Sequence, residues 1–321
     1  MKVFYTAHAS ESLYDIMRAM VPPGMTLVTL DRNSDPERYA KIADCEIAIQ
    51  ANATFPASLV AAAPKLQLVI HQGVGYHDTV DLVALKGRGI RLALTADGTA
   101  ESVAEHTVLL TLAVCRHLVF ADKELRQGRF HRHDLRPTSP ELTGRTIGYV
   151  GMGRIALAAA ERFKAFGTQG IYTNRSGPLP PARERELGIS YRTFDDILRL
   201  SDVLTLHVPL GPDTAGMIDA AAIAKMKPGA ILINTARGGL IDEQALCEAL
   251  RSEHLLGAGI DAFAVEPVSP DHPLCALDNV VLTPHYSGGT SDAFRRKMQA
   301  IFTNAARFRD GLPLNNEVEL P

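Results

Sequence analysis

Short apolar runs alternate with polar, helix-like stretches along most of this chain. In the first hundred residues the apolar runs are KVFYT (2–6), EIAIQ (46–50), LQLVIH (66–71) and IRLAL (90–94). Each has the length of a strand, and helix-like segments or turns rich in Pro and Gly lie between them. From 101 to about 127 the pattern changes to one long amphipathic segment, and PTSPELTGR (137–145) then punctuates the chain. The rhythm restarts with TIGYV (146–150), GIYT (170–173), VLTLHV (203–208), AILINT (230–235), GAGID (257–261) and VVLT (280–283). A last helical stretch runs from 291 to about 309. The later runs are apolar throughout rather than alternating, as expected of parallel strands buried on both faces. The pattern predicts an α/β protein of two doubly wound parallel-sheet domains, Rossmann-like or flavodoxin-like, with an active-site cleft between them. One domain is expected at 1–98 plus 290–321, the final helix crossing back to it, and the other at 99–289.

The 321 residues suffice for two domains of ordinary size. With 46% hydrophobic and 21% charged residues, the composition is that of a soluble globular protein. A formal net charge of −3, with no basic stripe, points away from a nucleic-acid partner. The most apolar helix-like stretch, TVLLTLAV from Thr107, lies between Glu105 and Arg116 and is too short to span a bilayer, so no membrane partner is expected. The start, MKVFYTAHAS, lacks the long apolar stretch of a signal peptide. The four cysteines are scattered without a Cys-x-x-Cys pair, which argues against metal or disulfide roles and for a reduced, cytoplasmic setting.

Candidate chemistry begins at TIGYVGMGRIA, which holds Gly151-x-Gly153-x-x-Ala156 between a strand and a helix. In such a turn the first glycine permits the tight bend and the second lets a pyrophosphate approach the backbone. The small third residue lets helix and strand pack closely, and the helix N-terminus offers free N–H groups. Gly151, Met152, Gly153, Arg154 and Ile155 are therefore expected to hold a dinucleotide, against the alternative of an ordinary βα turn. The next strand ends in Asn174, Arg175 and Ser176, where a free ribose hydroxyl would usually meet Asp or Glu. No carboxylate repels a phosphate there and an arginine is available to bind one, which favours NADP(H). The alternative is a surface arginine and NAD(H).

Three further stretches stand at strand ends: NTARGGLIDE, GIDAFAVEPV and LTPHYSGGT, carrying Arg237, Glu266 and His285. Singly, each has a bland reading. The arginine would be a solvated loop residue, the Glu-Pro a turn, and the histidine structural. Their joint occurrence beside a nucleotide site changes the balance.

The chain resembles the D-isomer-specific 2-hydroxyacid dehydrogenase family, glyoxylate and hydroxypyruvate reductases in particular, over nearly its whole length. GYVGMGRIA, VPLGPDTAGMI, MKPGAILINTARGGLIDEQAL, GAGIDAFAVEP and NVVLTPHYSGGT stand in the family's order and spacing. GVGYHDTVD and ESVAEHT are similar to its substrate loop and inter-domain helix. The resemblance implies that 99–289 is the NAD(P)-binding domain and that 1–98 plus 290–321 is the substrate-binding (catalytic) domain. It implies that Arg237 grips the carboxylate and carbonyl oxygen of a 2-keto acid, a task suited to a planar guanidinium fork. His285 would be the general acid, and Glu266 would orient it and favour its protonated form. Asp261 would meet the nicotinamide end of the cofactor. Backbone N–H groups of Val74 and Gly75 would hold the substrate carboxylate. Thr107, His207, Val208, Pro209, Thr214, Thr235, Ala236 and Ser287 would line the cofactor.

The chain departs from the family pattern in Ala156, in place of the usual third glycine, and in His71 and Gln72, where small or apolar residues are usual. The latter pair leaves the substrate side-chain preference open. TPHYSGG resembles formate dehydrogenases of the same superfamily, but these carry glutamine where Glu266 stands here. The leading expectation is hydride transfer between NADP(H) and a small 2-keto or 2-hydroxy acid such as glyoxylate or hydroxypyruvate. Two alternatives remain: NAD-dependent oxidation of a D-2-hydroxyacid or of an anion such as phosphite, and a non-catalytic, dinucleotide-sensing regulator. A homodimer is the default assembly, the long segment from 101 offering an apolar face.

Overall fold

The computed structural model describes residues 1–51, 54–96 and 98–321. In chain order the first elements are β1 (Lys2–Tyr5), α1 (Glu11–Arg18), β2 (Thr26–Val28), α2 (Asp35–Ile42), β3 (Ile47–Gln50), α3 (Ala57–Ala61), β4 (Leu68–His71), α4 (Leu82–Gly87) and β5 (Arg91–Leu94). Then come α5 (Ala100–Cys115), α6 (Leu118–Arg126), β6 (Thr146–Val150), α7 (Arg154–Lys164), β7 (Gln169–Thr173), α8 (Pro181–Leu187), β8 (Ile189–Tyr191), α9 (Phe194–Leu200) and β9 (Val203–Leu206). The chain ends with α10 (Ala220–Lys225), β10 (Ala230–Asn234), α11 (Glu243–Arg251), β11 (Leu255–Ile260), β12 (Val280–Leu282), α12 (Ser291–Arg309) and β13 (Glu317–Val318). It divides into two compact units, Met1–Thr99 with Ser291–Pro321, and Ala100–Thr290.

The first unit is a six-stranded sheet in the order β13-β5-β4-β3-β1-β2. Its strands are parallel except β13, which pairs antiparallel with β5. Alternate residues face opposite sides. Val3, Tyr5, Ile47, Ile49, Leu68 and Ile70 form one core with α12, while Phe4, Ala48, Val69 and Leu92 form another with Leu59 and Leu85 of α3 and α4. The α12 contribution is Met298, Ile301, Phe302 and Ala305, an i, i+3, i+4, i+7 stripe that explains why this helix belongs to a sheet about 200 residues upstream in sequence.

The second unit is a seven-stranded, wholly parallel sheet in the order β12-β11-β10-β9-β6-β7-β8. All five residues of β10 are buried, because α5 and α7 cover one face and α9, α10 and α11 the other. The fold is thus the two-sheet α/β architecture that the apolar runs predict.

Two expectations needed correction. The segment at 101–127 is not one helix: α5 and α6 meet at a 59° bend. His117, between them, has left-handed backbone (φ 47°), and its Nε2 lies 2.8 Å from the Thr138 carbonyl oxygen. That contact is remote in sequence and leaves no trace in local periodicity. The strands β2, β8 and β13 were also absent from the apolar pattern. All are edge strands of three residues or fewer with partly exposed side chains, so they carry no long apolar run. Among the described residues no single helix is long and apolar enough to cross a membrane.

Candidate active site

Apart from Thr107 on α5, the residues singled out in the second unit lie beyond the carboxyl ends of its strands. The chain turns from β6 into α7 through Gly151, whose φ of +90° favours glycine. A Cβ there would also lie 2.7 Å from the His207 carbonyl oxygen and 2.8 Å from Val208 Cγ1. Gly153 caps α7, and a Cβ on it would meet nothing within 4 Å. Packing inside the protein therefore requires glycine at 151 but not at 153, where its effect is to leave the helix N-terminus approachable. Ala156 is fully buried, so its small size is used in packing. First-turn N–H groups of a helix lack intrahelical partners and suit an anion, so this turn fits a pyrophosphate.

At the end of β7, the Asn174 side-chain amide donates to Ser176 Oγ at 2.7 Å and Gly177 N donates to the Asn174 carbonyl at 3.0 Å. The turn presents Arg175 exposed. Thr107 on α5 and Thr235 after β10 share a hydroxyl contact at 3.2 Å. The Thr214 hydroxyl donates to the Pro209 carbonyl at 2.7 Å and accepts from Gly211 N at 2.9 Å. His207 packs near Tyr149, with its Nε2 3.0 Å from Thr205 Oγ1, and desolvation pushes its imidazole down to about 4.

Arg237 follows β10 because the fully buried Asn234 clamps the turn. Its side chain accepts from Ala236 N at 3.0 Å and donates to the Arg237 carbonyl at 2.9 Å. Arg237 Nη1 donates to the Ala236 carbonyl at 3.0 Å. The next residue, Gly238, lies against the chain after β11. A Cβ on it would run into the Phe263 carbonyl carbon and the Ala264 nitrogen.

That same stretch carries Glu266, joined to Pro267 by a cis peptide bond. Glu266 Oε1 accepts from Phe263 N at 2.9 Å, and the two carboxylate oxygens lie 3.0 and 2.8 Å from His285 Nδ1. The stretch is tethered again where Glu243 accepts from Ala264 N at 2.9 Å and pairs with His272 Nε2 at 3.1 Å. With Nδ1 turned to Glu266, His285 keeps Nε2 for another partner. The side chains of His285 and Glu266 are 40% and 36% exposed, so the pair is open to a ligand.

Asp261 and Ser287 are buried. The Asp261 carboxylate accepts from Thr283 Oγ1, Tyr286 N and Ser287 N at 2.6, 3.1 and 3.0 Å. Val74 and Gly75 follow β4 in the first unit. Val74 is exposed, and the Gly75 carbonyl accepts from Thr79 Oγ1 at 3.3 Å. In that unit His71 Nε2 lies 3.3 Å from Thr79 Oγ1, and Gln72 Oε1 accepts from Tyr5 OH at 3.2 Å. Sequence reasoning missed Asn234, Glu243, His272, His106 and Thr283. Asn234 alone left a local signal, a polar residue closing an apolar run.

A family model described as the NAD binding domain of D-isomer specific 2-hydroxyacid dehydrogenases matches residues 108–287. The chain belongs to the D-isomer specific 2-hydroxyacid dehydrogenase family. Within it, the chain is 43% identical to D-3-phosphoglycerate dehydrogenase of Mycobacterium leprae over 245 residues, 76% of this chain and 45% of that protein. It thus spans about half the length of such relatives. It is 37% identical to glyoxylate reductase of Aeropyrum pernix over 295 residues, 90% of this chain and 84% of the relative. Among solved structures, the TT0316 protein of Thermus thermophilus superposes with a TM-score of 0.87 at 33% identity, covering 99% of this chain and 100% of that one. Family architecture does not decide the cofactor. An acyclic imino acid reductase bound to NADPH (TM-score 0.84, 28% identity, 99% and 100% covered) and a formate dehydrogenase of Staphylococcus aureus bound to NAD (0.86, 27%, 100% and 99%) both share it.

Proposed function

We propose that this family member reduces a small 2-keto acid of the glyoxylate or hydroxypyruvate type, using NADP(H). The observation that carries the reading is the His285–Glu266 pair, 2.8 Å apart at its closest, with the segment that bears Glu266 packed directly against the turn that bears Arg237. Arg237 holds the substrate carboxylate and carbonyl oxygen, its fork matching two coplanar acceptors. His285 gives a proton from Nε2 to the carbonyl oxygen and takes it back in the reverse direction, while Glu266 at Nδ1 fixes the ring orientation. When bound, the nicotinamide supplies the hydride at C2. Backbone N–H groups of Val74 and Gly75 hold the substrate carboxylate.

Gly151, Met152, Gly153, Arg154 and Ile155 hold the pyrophosphate. Asn174, Arg175 and Ser176 hold the ribose and its 2′-phosphate. Thr107, His207, Val208, Pro209, Thr214, Thr235, Ala236, Asp261 and Ser287 line the rest of the dinucleotide site. Support for NADP(H) comes from the exposed Arg175 on a turn without a carboxylate. Support for a small acid comes from the glyoxylate reductase of Aeropyrum pernix, which matches most of both chains. We place the protein in the cytoplasm on the strength of its unpaired cysteines, Cys45, Cys115, Cys247 and Cys275. We read it as a homodimer joined along α5 and α6, where Leu109, Leu118, Val119 and Leu125 are exposed.

The test is steady-state reduction of glyoxylate, hydroxypyruvate, pyruvate and 3-phosphohydroxypyruvate with NADPH and NADH side by side. The highest kcat/KM is expected with glyoxylate or hydroxypyruvate and NADPH. Turnover of none of them with either cofactor would overturn the reading.

A further inference from the structure

We propose that His106 is a positioning residue that acts through Thr283 and Asp261 to hold the turn from which His285 projects; the inference rests on His285 being the acid. Ser102 and His106 stand four residues apart on α5 and so share a face. Both reach the segment that follows β12. Ser102 Oγ donates to the Ser287 carbonyl at 2.6 Å, and His106 Nε2 lies 3.0 Å from Thr283 Oγ1.

The direction of the second bond follows from its neighbour. Thr283 Oγ1 gives its proton to Asp261 Oδ1 at 2.6 Å, so toward the imidazole it acts as acceptor, and His106 is the donor through Nε2–H. Asp261 then gathers the far end of the turn. Its Oδ1 also accepts from Tyr286 N at 3.1 Å, and its Oδ2 accepts from Ser287 N at 3.0 Å. The His106 ring meets the Tyr286 ring edge-on, with centroids 5.2 Å apart and planes at 75°. One chain of donors therefore runs from α5 into a carboxylate that is fully buried and pins both sides of residue 285.

The held conformation is one the turn resists. His285 has φ 49°, in the left-handed region that residues other than glycine rarely adopt. Its own N–H donates to the Thr283 carbonyl at 3.0 Å. Holding Thr283 and the 286–287 amides fixed is what keeps the residue between them there. Burial lowers the His106 imidazole's pKa below the ordinary value, opposed in part by Asp261. The ring is then a neutral, fixed donor and does not compete with His285 as a proton source.

The experiment uses the full chain with His106→Leu, which keeps bulk and removes the donor, and His106→Gln, whose amide nitrogen reaches a similar point. Amide hydrogen exchange at Tyr286 and Ser287 is read alongside kcat, KM and Tm. We expect His106→Leu to speed exchange at those two amides and to lower kcat about tenfold, with cofactor KM little changed, because a displaced acid loses alignment. His106→Gln should restore exchange and bring kcat back to within about threefold of wild type. The double variant with Thr283→Val should be no slower than Thr283→Val alone, since both cut one chain. Equal losses in His106→Leu and His106→Gln, additive losses in the double variant, or unchanged exchange in His106→Leu would each overturn the proposal. Should His106→Leu not fold, Thr283→Val against Thr283→Ser applies the same comparison one link along. If the wild type reduces no keto acid, the functional reading falls, and the exchange data alone decide whether His106 holds the turn.

Discussion

Gly238 lies so close to the backbone of Phe263 that no side-chain atom fits between them. This contact joins the turn bearing Arg237 to the segment bearing Glu266, so the proposed substrate grip and the partner of the proposed acid share one rigid junction. Gly238→Ala must push the two chains apart. Overpacking of this kind costs about 1–3 kcal/mol, and misalignment adds a kinetic loss of about tenfold or more in kcat/KM. Gly239→Ala is the control. Its Cβ would come nearest to the Leu210 methyl carbons, at 3.0 and 3.2 Å, the ends of a flexible side chain. A thermal melt and steady-state kinetics on the two variants should separate them, and equal behaviour would deny the junction its role.

Arg237→Lys keeps the positive charge and loses the fork. The Asn234 clamp acts on the backbone around residue 237, so the turn should survive the change. We expect kcat/KM for the keto acid to fall on the order of a hundredfold, because a two-point charge-assisted contact becomes one. Cofactor affinity, measured by quenching or calorimetry, should stay near wild type. An unchanged kcat/KM would return Arg237 to the role of a loop residue.

The legible parts of the molecule were those whose physics is local. Runs such as AILIN are apolar throughout because helices cover both faces of β10, and this is visible in the sequence. The edge strands β2 and β8 bury little and were invisible. The break at His117 depends on Thr138, 21 residues away, and the support of the His285 turn depends on His106 and Thr283, 177 residues apart. An isolated histidine on a helix and a threonine after a strand announce nothing by themselves. Arg237, Glu266 and His285 could be singled out because they stand a few residues beyond three apolar runs and occur together with the Gly151–Ala156 turn. The residues that hold them could not.

Arg175 should matter to one cofactor only. It is exposed on the turn after β7, beside Asn174 and Ser176, which bond to each other. Arg175→Ala is expected to raise the KM for NADPH at least about tenfold, the scale of a lost charge-assisted contact, and to leave NADH nearly unchanged. Parallel increases for the two cofactors, or a wild type that uses both equally, would sink the assignment of NADP(H).

The last prediction concerns acid. His207 lies against Gly151 in the turn from β6 into α7, and desolvation brings its folded-state pKa down to about 4, against about 6.5 for an unperturbed imidazole. Between these values the unfolded chain binds the proton and the folded chain does not. Stability therefore falls as pH is lowered from about 6.5 toward 4, and below that both states are protonated and the loss levels off. His207 as a residue is only partly buried, so the loss expected is about 1–2 kcal/mol rather than the full linkage, a few degrees in Tm for a chain of this size. His207→Gln retains a group able to bond Thr205 Oγ1 and has nothing to titrate. Its Tm should decline less steeply than that of wild type across this window, with the two curves parallel above pH 7. Melts taken at half-unit steps from pH 7.5 to 4 test this directly. Curves that stay parallel throughout would mean that His207 takes up its proton without opposing the fold.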